Sequence, residues 1–290
     1  MKKNPLMVVR SKAELSALIS NERCSGHRVG FVPTMGALHN GHLSLVALSR
    51  EYCSRTVASI FVNPTQFAPG EDFDSYPRRE DEDLEKLREA GCDFVYLPSP
   101  EDIYPTGHVT NVRVDALSDR LDGQFRPHFF YGVTTVVARL FIHVAPDLAV
   151  FGQKDFQQLQ IIRKMVRDLG FPIEIIGAPT VRDQDGLAQS SRNEYLSQDE
   201  RRRASAIQTG LYRAKKRLLM GADLNTCIQE ARTLIASAGF DRIDYVSAVR
   251  NDDLVDLDPS EPIPEHSRLL AAAWLGKTRL IDNIALTGAA

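Results

Sequence analysis

The sequence is poor in cysteine, and it has neither a long hydrophobic run nor a strong excess of one charge. The cysteines are too far apart to match a metal-ligand spacing or a dense disulfide framework, so we expect reduced thiols. The four positions are Cys24, Cys53, Cys92 and Cys227. A formal net charge of -3 gives no general attraction to nucleic acid or to an anionic membrane surface. The three arginines at 201–203 lie at an expected helix start, where we interpret them as a solvated face.

The N-terminus lacks the features of a targeting segment. Lys2 and Lys3 supply positive charge, but only residues 6–9 form an apolar stretch, which is too short for the hydrophobic core of a signal peptide. No later run is long enough to span a membrane. These absences predict a cytoplasmic protein with neither a membrane nor a nucleic acid as its partner.

A chain of 290 residues with 43% hydrophobic content can bury the core of one large domain or two ordinary ones. Over the first 180 residues, short runs rich in Val, Ile and Phe alternate with amphipathic helical stretches. The predicted strands cover 29–34, 56–62, 93–97, 148–151 and 174–177, and the predicted helices cover 40–50, 80–90, 133–143 and 156–169. This alternation predicts βαβ units, and therefore an α/β fold with a Rossmann-like parallel sheet.

The chain changes character near residue 180. A polar loop at 182–193 is followed by Ser197 and Glu200, which fit a capping box that opens a long helix. We predict helices at 198–220 and 224–238, strands at 243–249, 269–275 and 278–284, and an exposed loop at 252–265. The sequence therefore predicts a first domain at 1–180 and a smaller α+β domain at 181–290, packed over the ligand crevice of the first.

The segment 33–42, Pro-Thr-Met-Gly-Ala-Leu-His-Asn-Gly-His, is the most informative pattern in the chain. It places His39 and His42 on one face of the first turn of a helix that follows an apolar strand. Free backbone N–H groups and the positive end of the helix dipole are expected there, so an anion binds readily and either imidazole can donate a hydrogen bond to it. A capping histidine beside a core histidine is the structural alternative. The motif indicates nucleotide handling and no particular reaction.

Other unusual polar segments follow later strands, and ligands collect at the carboxyl ends of parallel strands. Asn63 and Gln66 offer neutral amides suited to hydroxyl groups, although ordinary loop capping is the favoured explanation for them when they are taken alone. Lys154 can neutralise phosphate charge. The next residue, Asp155, is suited to orienting a ribose or a metal ion. The segment 185–193 contains two serines and an arginine that resemble a phosphate clamp, or else a solvated loop. Together these clusters favour an enzyme that uses ATP.

In order and spacing, five segments resemble the signatures of the pantoate–β-alanine ligase (pantothenate synthetase) family, within the nucleotidylyltransferase superfamily that carries the HIGH motif. They are the segments 33–42, 61–67, 76–78, 151–158 and 185–193. The resemblance covers nearly the whole chain. It implies a cytosolic homodimeric ligase that condenses (R)-pantoate with β-alanine, using ATP and Mg²⁺, on the route to coenzyme A.

The resemblance also implies roles for individual residues. ATP binding is implied for Met35, Gly36, Ala37, Leu38, His39, Asn40, Gly41, His42, Gly152, Gln153, Lys154, Asp155, Val181, Gln189, Ser190, Ser191 and Arg192. The catalytic set is His42 as proton donor, with His39, Lys154 and Arg192 on the phosphates. Pantoate is assigned to Gln66, Gln158 and Asn63, and β-alanine also to Gln66. The ligands of Mg²⁺ stay unassigned, as does any contribution of the acids at 80–83.

The chain departs from the family pattern at two places. His128 stands one position earlier than the usual histidine of the segment Arg-Pro-x-His-Phe, and Gln189 replaces a more apolar residue. Two other functions stay open at this point. One is a different superfamily enzyme, such as a cytidylyltransferase or a relative of the aminoacyl-tRNA synthetases. The other is a non-catalytic nucleotide-binding module, which the full set of phosphate-handling residues disfavours.

Overall fold

The computed structural model describes residues 5–68 and 70–286. Lys2 and Lys3, the charged residues of the N-terminal segment, lie outside the described residues. Among the described helices, none is long and apolar enough to cross a membrane.

Within the described residues, six parallel strands form the main sheet. They are β1 (Met7–Val9), β2 (Val29–Thr34), β3 (Arg55–Ile60), β4 (Phe94–Tyr96), β5 (Leu148–Gly152) and β6 (Glu174–Ala178). Their order across the sheet is β1-β4-β3-β2-β5-β6, and each neighbouring pair is parallel. The predicted parallel sheet is therefore confirmed. After β2 the chain moves outward to β3 and β4 and then returns to the other side of β2 with β5, so β2 and β5 flank a topological switch point where a crevice opens.

Helices cover both faces of this sheet. Counting also the C-terminal part of the chain, the described residues form the helices α1 (Lys12–Cys24), α2 (Asn40–Tyr52), α3 (Glu80–Glu89), α4 (Pro100–Ile103), α5 (Asp122–Phe125), α6 (Phe129–Val144), α7 (Phe156–Leu169), α8 (Gln198–Ala204), α9 (Ala206–Leu219) and α10 (Leu224–Ser237). Phe31 packs with the cluster that includes residues of α1, α6 and α7. Its neighbour Val32 packs with the cluster that includes residues of α2 and α3. This alternation follows from the two-residue period of a strand.

A second, antiparallel sheet lies in the C-terminal part of the chain. Its strands are β7 (Arg242–Arg250), β8 (Ser267–Leu275) and β9 (Thr278–Ala285), in the order β7-β8-β9. One core cluster joins the inner faces of α8, α9 and α10 to this sheet. The smaller α+β unit expected from the sequence is thus present, while the exact boundary at 180/181 stays a prediction. The loop expected at 252–265 carries no helix or strand.

Three differences from the sequence-based expectations have physical reasons. The single helix predicted at 198–220 is wrong, because Ser205 (ψ -9°) forms a turn at which α8 ends and after which α9 starts at Ala206. No glycine or proline signals this break. The sequence did not indicate β1, which has only three residues, or α1, which buries only Leu15 and Ile19. Helix α6 begins four residues before the predicted position 133, at Phe129.

Candidate active site

A cavity of about 220 Å³ opens at the carboxyl ends of β2, β3 and β5. It brings together most of the residues that the sequence analysis singled out. These are Met35, His39, Gly41, His42, Asn63, Gln66, Gly152, Lys154, Asp155, Gln158, Val181, Gln189, Ser190, Ser191 and Arg192. Gly36, Ala37, Leu38, Asn40 and Gln153 are not part of its lining. Segments distant in sequence meet here because the carboxyl ends of parallel strands lie at one edge of the sheet.

His39 and His42 cap the start of α2 reciprocally. The backbone N–H of Gly41 donates to Nδ1 of His39 at 3.1 Å, and the backbone N–H of His39 donates to Nδ1 of His42 at 3.3 Å. The two ring centroids are 4.1 Å apart. Since each Nδ1 accepts a hydrogen bond, each neutral imidazole carries its hydrogen on Nε2, which stays available as a donor.

Both imidazoles are neutral at pH 7. Burial lowers the pKa of His39 to about 4, and the positive charge of Lys154 contributes to that shift. Burial lowers the pKa of His42 to about 3, with further contributions from His39, Lys154 and Lys86. A neutral pair donates hydrogen bonds to phosphate oxygens without adding a full positive charge.

Several N–H groups of the turn before α2 already have partners within the protein, so for these donors the sequence-based expectation of free N–H groups is wrong. Ala37 and Leu38 each donate to one carboxylate oxygen of Asp83, both at 2.8 Å. Gly36 donates to Oγ1 of Thr34 at 3.2 Å. The protein satisfies these donors itself, which fixes the turn and leaves the imidazoles and cationic side chains to meet the anion.

Asp83 is a buried residue of α3 whose contribution the sequence did not reveal, and it is 1% exposed. Burial raises the pKa of this carboxyl, but both of its oxygens accept N–H donors, so the residue is held as a carboxylate. One signal was present: among the four acids at 80–83, Asp83 is the one four residues before the buried Leu87 and so shares its helix face. Lys86 supports the same turn by donating to the carbonyl oxygen of Leu38 at 2.8 Å.

The amide side chains form the apolar-walled end of the cavity. Asn63 is 1% exposed and donates to Oε1 of Gln66 at 3.1 Å and to the carbonyl oxygen of Gly132 at 3.1 Å. Its own oxygen accepts from Thr65 and from the Tyr104 hydroxyl. Every polar atom of Asn63 is therefore occupied, and the residue orients Gln66.

Gln158 differs from Asn63 in having a free amide. It lines the cavity from α7, and no other described residue hydrogen-bonds to its side chain. The amide of Gln66 makes only a 2.8 Å contact from Nε2 to the sulfur of Met35, in addition to the bond from Asn63. Gln66 and Gln158 are therefore the amides with spare hydrogen-bonding capacity for a ligand.

Lys154 and Gln153, adjacent in sequence, face different pockets. The Lys154 side chain lines the cavity, with Nζ 3.8 Å from Oδ1 of Asp155. The Gln153 side chain turns away from the cavity and donates to the carbonyl oxygen of Gly177 at 3.2 Å. Asn283 of β9 fixes this segment by donating to the carbonyl oxygens of Gln153 at 2.9 Å and Lys154 at 2.8 Å.

Arg192 is held by a carboxylate that the sequence analysis did not single out. Its Nη2 donates to Oδ1 of Asp72 at 3.1 Å, and its Nε lies 3.0 Å from Oδ2. Asp72 thus occupies the planar two-oxygen position that a phosphate group would take. The hydroxyl of Ser191 donates to the carbonyl oxygen of Ala37 at 3.0 Å, and that of Ser190 accepts the N–H of Arg192 at 3.3 Å.

The two departures from the family pattern have clear positions. Gln189 accepts from the N–H of Gly41 at 3.2 Å and donates to Asp183 at 2.9 Å, so it links the C-terminal segment to the start of α2. His128 is exposed and lies outside the cavity lining, whereas Phe129 takes part in it. The guanidinium of Arg126 stacks 3.9 Å from the Phe129 ring centroid.

Comparisons with known proteins identify the family of this chain. A family model described as "Pantoate-beta-alanine ligase" matches residues 7–285. The chain belongs to the pantoate–β-alanine ligase family. It is 60% identical to the pantothenate synthetase of Hyphomonas neptunium over 99% of this chain and 98% of that protein. It is 50% identical to the one from Caulobacter vibrioides, with coverage of 97% and 98%.

Solved structures of the family superpose on nearly the whole chain. The pantothenate synthetase of Thermus thermophilus matches with a TM-score of 0.91 and 42% identity, covering 97% of this chain and 100% of that one. The pantoate–β-alanine ligase of Francisella tularensis, solved with "Beta-gamma ATP and Beta-alanine", matches with a TM-score of 0.80 and 31% identity, covering 98% and 99%. Membership of the family excludes the two rival functions, and the chain is an enzyme of the ligase class.

Proposed function

We propose that this cavity joins (R)-pantoate to β-alanine at the expense of ATP, through a pantoyl adenylate, to give pantothenate, AMP and diphosphate. One observation carries the proposal. Two neutral histidines with Lys154 and Arg192, which suit phosphate oxygens, line the same cavity as the neutral amides of Gln66 and Gln158. A triphosphate and a small hydroxy acid need these two kinds of surface.

In the first step, a carboxylate oxygen of pantoate attacks the α-phosphorus of ATP. A new P–O bond forms, the bond to the β-phosphate bridging oxygen breaks, and diphosphate leaves with the electron pair. Nε2–H of His42 donates a hydrogen bond to the charge that develops on the phosphate oxygens, while His39, Lys154 and Arg192 steady the phosphates. Arg192 is freed for this role when phosphate oxygens replace those of Asp72.

In the second step, the amine of β-alanine attacks the acyl carbon of the adenylate. The C–N bond forms, the C–O bond to AMP breaks, and the amine loses its proton to water. The reactive anhydride has to be kept from hydrolysis in the meantime. The C-terminal unit, predicted to begin at residue 181, supplies Gln189 and Arg192 to the cavity and is suited to cover it.

Gln66 and Gln158 bind the hydroxyl groups of pantoate in this proposal, and Gln66 also reaches β-alanine. Their free hydrogen-bonding capacity and lack of charge support these roles. Asn63 positions Gln66. The ATP contacts are made by the cavity-lining part of the assigned set, while Gly36, Ala37 and Leu38, whose N–H groups are already bonded, shape the histidine turn beside it.

The residues present fit a Mg²⁺ ion that is held mainly by ATP. Within the described residues, no cluster of three or more His, Cys, Asp or Glu side chains forms a protein-only metal site. Asp155 lines the cavity with a half-exposed carboxylate whose nearest cationic partner is Lys154 at 3.8 Å. Asp155 would hold the ion together with triphosphate oxygens and waters, the coordination that Mg²⁺ usually adopts, and the ion would neutralise phosphate charge.

We further propose that the enzyme works as a cytoplasmic homodimer and takes no nucleic acid. The resemblance to the family supports the dimer, and the net charge of -3 supports the absence of nucleic-acid binding. Light scattering after size-exclusion chromatography tests the assembly, and a mass of one chain would contradict it.

The activity is tested by measuring AMP with all substrates and with each one left out. We expect AMP to accumulate with turnover only when ATP, pantoate and β-alanine are all present. Formation of ADP, or sustained AMP production that needs no β-alanine, would contradict the proposal.

A further inference from the structure

A second pocket of about 430 Å³ lies beside the active-site cavity and has no part in the proposed reaction. It opens between α7, β6 and the segment that leads into β8, and we call it the Arg268 pocket. The side chain of Gln153 lines it, whereas that of the next residue, Lys154, lines the active-site cavity. Adjacent residues of one segment therefore line the two different pockets.

Arg268 forms the base of this pocket as a buried cation without a carboxylate partner. The residue is 4% exposed, and its guanidinium carbon lies 4.0 Å from the Phe156 ring centroid. Nη1 donates to Oδ1 of Asn283 at 2.5 Å, while the buried Nε has no hydrogen-bond partner. Burial, together with the positive charge of Arg163, lowers the pKa of Arg268 to about 10. A buried charge with an unpaired N–H donor is energetically unfavourable unless a ligand supplies the missing acceptor.

Arg163 places a second guanidinium at the rim of the same pocket. Its Nη2 is 3.3 Å from the point where a Cβ at Gly177 would lie, so this glycine leaves room for the side chain. Arg163 makes no ion pair with any described residue. Asp252 and Glu265 also line the pocket, but both are exposed and neither lies within ion-pair distance of either arginine.

Neutral donors and acceptors complete the lining. Gln160 and Asn251 contribute amides, and the buried Oδ1 of Asn251 lacks a hydrogen-bond partner. Asn283 holds the Arg268 fork in place, because it is itself fixed by its bonds to the backbone of Gln153 and Lys154. The arginine is therefore already oriented before a ligand arrives.

We propose that the Arg268 pocket binds the phosphate group of a small molecule at a site separate from the ATP site. Two guanidinium groups without carboxylate partners match the several acceptor oxygens of a phosphate. The volume leaves space for an organic part next to the amides, as in a phosphorylated metabolite. Inorganic phosphate serves as the probe of this chemistry.

The test is a titration of the full-length enzyme with inorganic phosphate, followed by backbone amide NMR. We expect the amide signals of Gly177, Asn251 and His266 to shift, with a Kd of about 1 mM or lower. Arg163→Gln should raise this Kd by about tenfold or more, the fold-change expected for loss of one charge-assisted contact. Arg167→Gln, an exposed position on the same helix, should leave it unchanged.

The amide signals of Gly41 and Ser190 report only on the active-site cavity. They therefore distinguish phosphate binding in that cavity from binding in the Arg268 pocket. Shifts confined to those two amides would overturn the proposal. So would an equal Kd for the parent and Arg163→Gln, or the absence of any shift at Gly177, Asn251 and His266. None of these readouts depends on catalysis, so the result is independent of the proposed reaction.

Discussion

Asp83→Ala tests whether the turn before the histidine helix is held by a buried carboxylate. In the parent, the N–H groups of Ala37 and Leu38 donate to the Asp83 carboxylate at 2.8 Å each. The substitution removes this acceptor from both donors. A buried donor left without a partner costs about 1–3 kcal/mol. Because both donors are affected and their acceptor is charged, we expect a loss of about 3–5 kcal/mol in the free energy of unfolding.

Urea denaturation followed by circular dichroism measures this change. Asp83→Asn keeps one acceptor oxygen and should lose about half as much, roughly 2 kcal/mol. Glu82→Ala is the matched control, since Glu82 lies in the same helical turn but is exposed, and it should stay within about 0.5 kcal/mol of the parent. The ATP KM should rise in Asp83→Asn as the turn loosens. A loss below about 1 kcal/mol for Asp83→Ala would refute the reasoning.

His42→Ala should lower kcat by about 10²–10³ while leaving the circular dichroism spectrum intact, and activity within a few fold of the parent would contradict its role as donor. Gln158→Ala should raise the pantoate KM at least about tenfold while the ATP KM changes little, and equal shifts in both would place Gln158 elsewhere. The folded-state pKa values of His39 and His42, about 4 and 3, lie below the ordinary 6.5, so the unfolded chain binds more protons below pH 6.5. The stability contribution of the pair is therefore complete above that pH and is lost as the pH falls through the folded-state pKa values toward about 3. Urea denaturation at several pH values should show a shallower decline in His42→Ala than in the parent, and identical slopes would count against the shifts.

The fold was largely predictable because its signals are local. Each βα unit carries a buried run followed by an amphipathic stretch, and β2, α2, β5 and α7 begin at or within one residue of their predicted positions. The polar segments after β2, β3 and β5 meet in one cavity because the carboxyl ends of parallel strands lie at the same edge of the sheet. Local signals failed at β1, which is too short, and at Ser205, where the helix breaks without glycine or proline.

The contacts that hold the site together were not predictable, because they join residues far apart in sequence. Asp83 meets Ala37 across 46 positions, Asp72 meets Arg192 across 120, and Asn283 meets Lys154 across 129. No periodicity or turn signal specifies such pairs in a single chain. The sequence also predicted free N–H groups at the histidine turn, since nothing local shows that Asp83 satisfies two of them.

The central claim, a pantoyl adenylate, is tested most directly by isotope transfer. Pantoate labelled with ¹⁸O in its carboxylate is incubated with enzyme, ATP and β-alanine, and the AMP is analysed by mass spectrometry. We predict that one label appears in AMP, because the attacking carboxylate oxygen becomes the bridge and leaves with the α-phosphate. AMP without label would rule out the adenylate, and ADP with labelled inorganic phosphate would indicate an acyl phosphate instead.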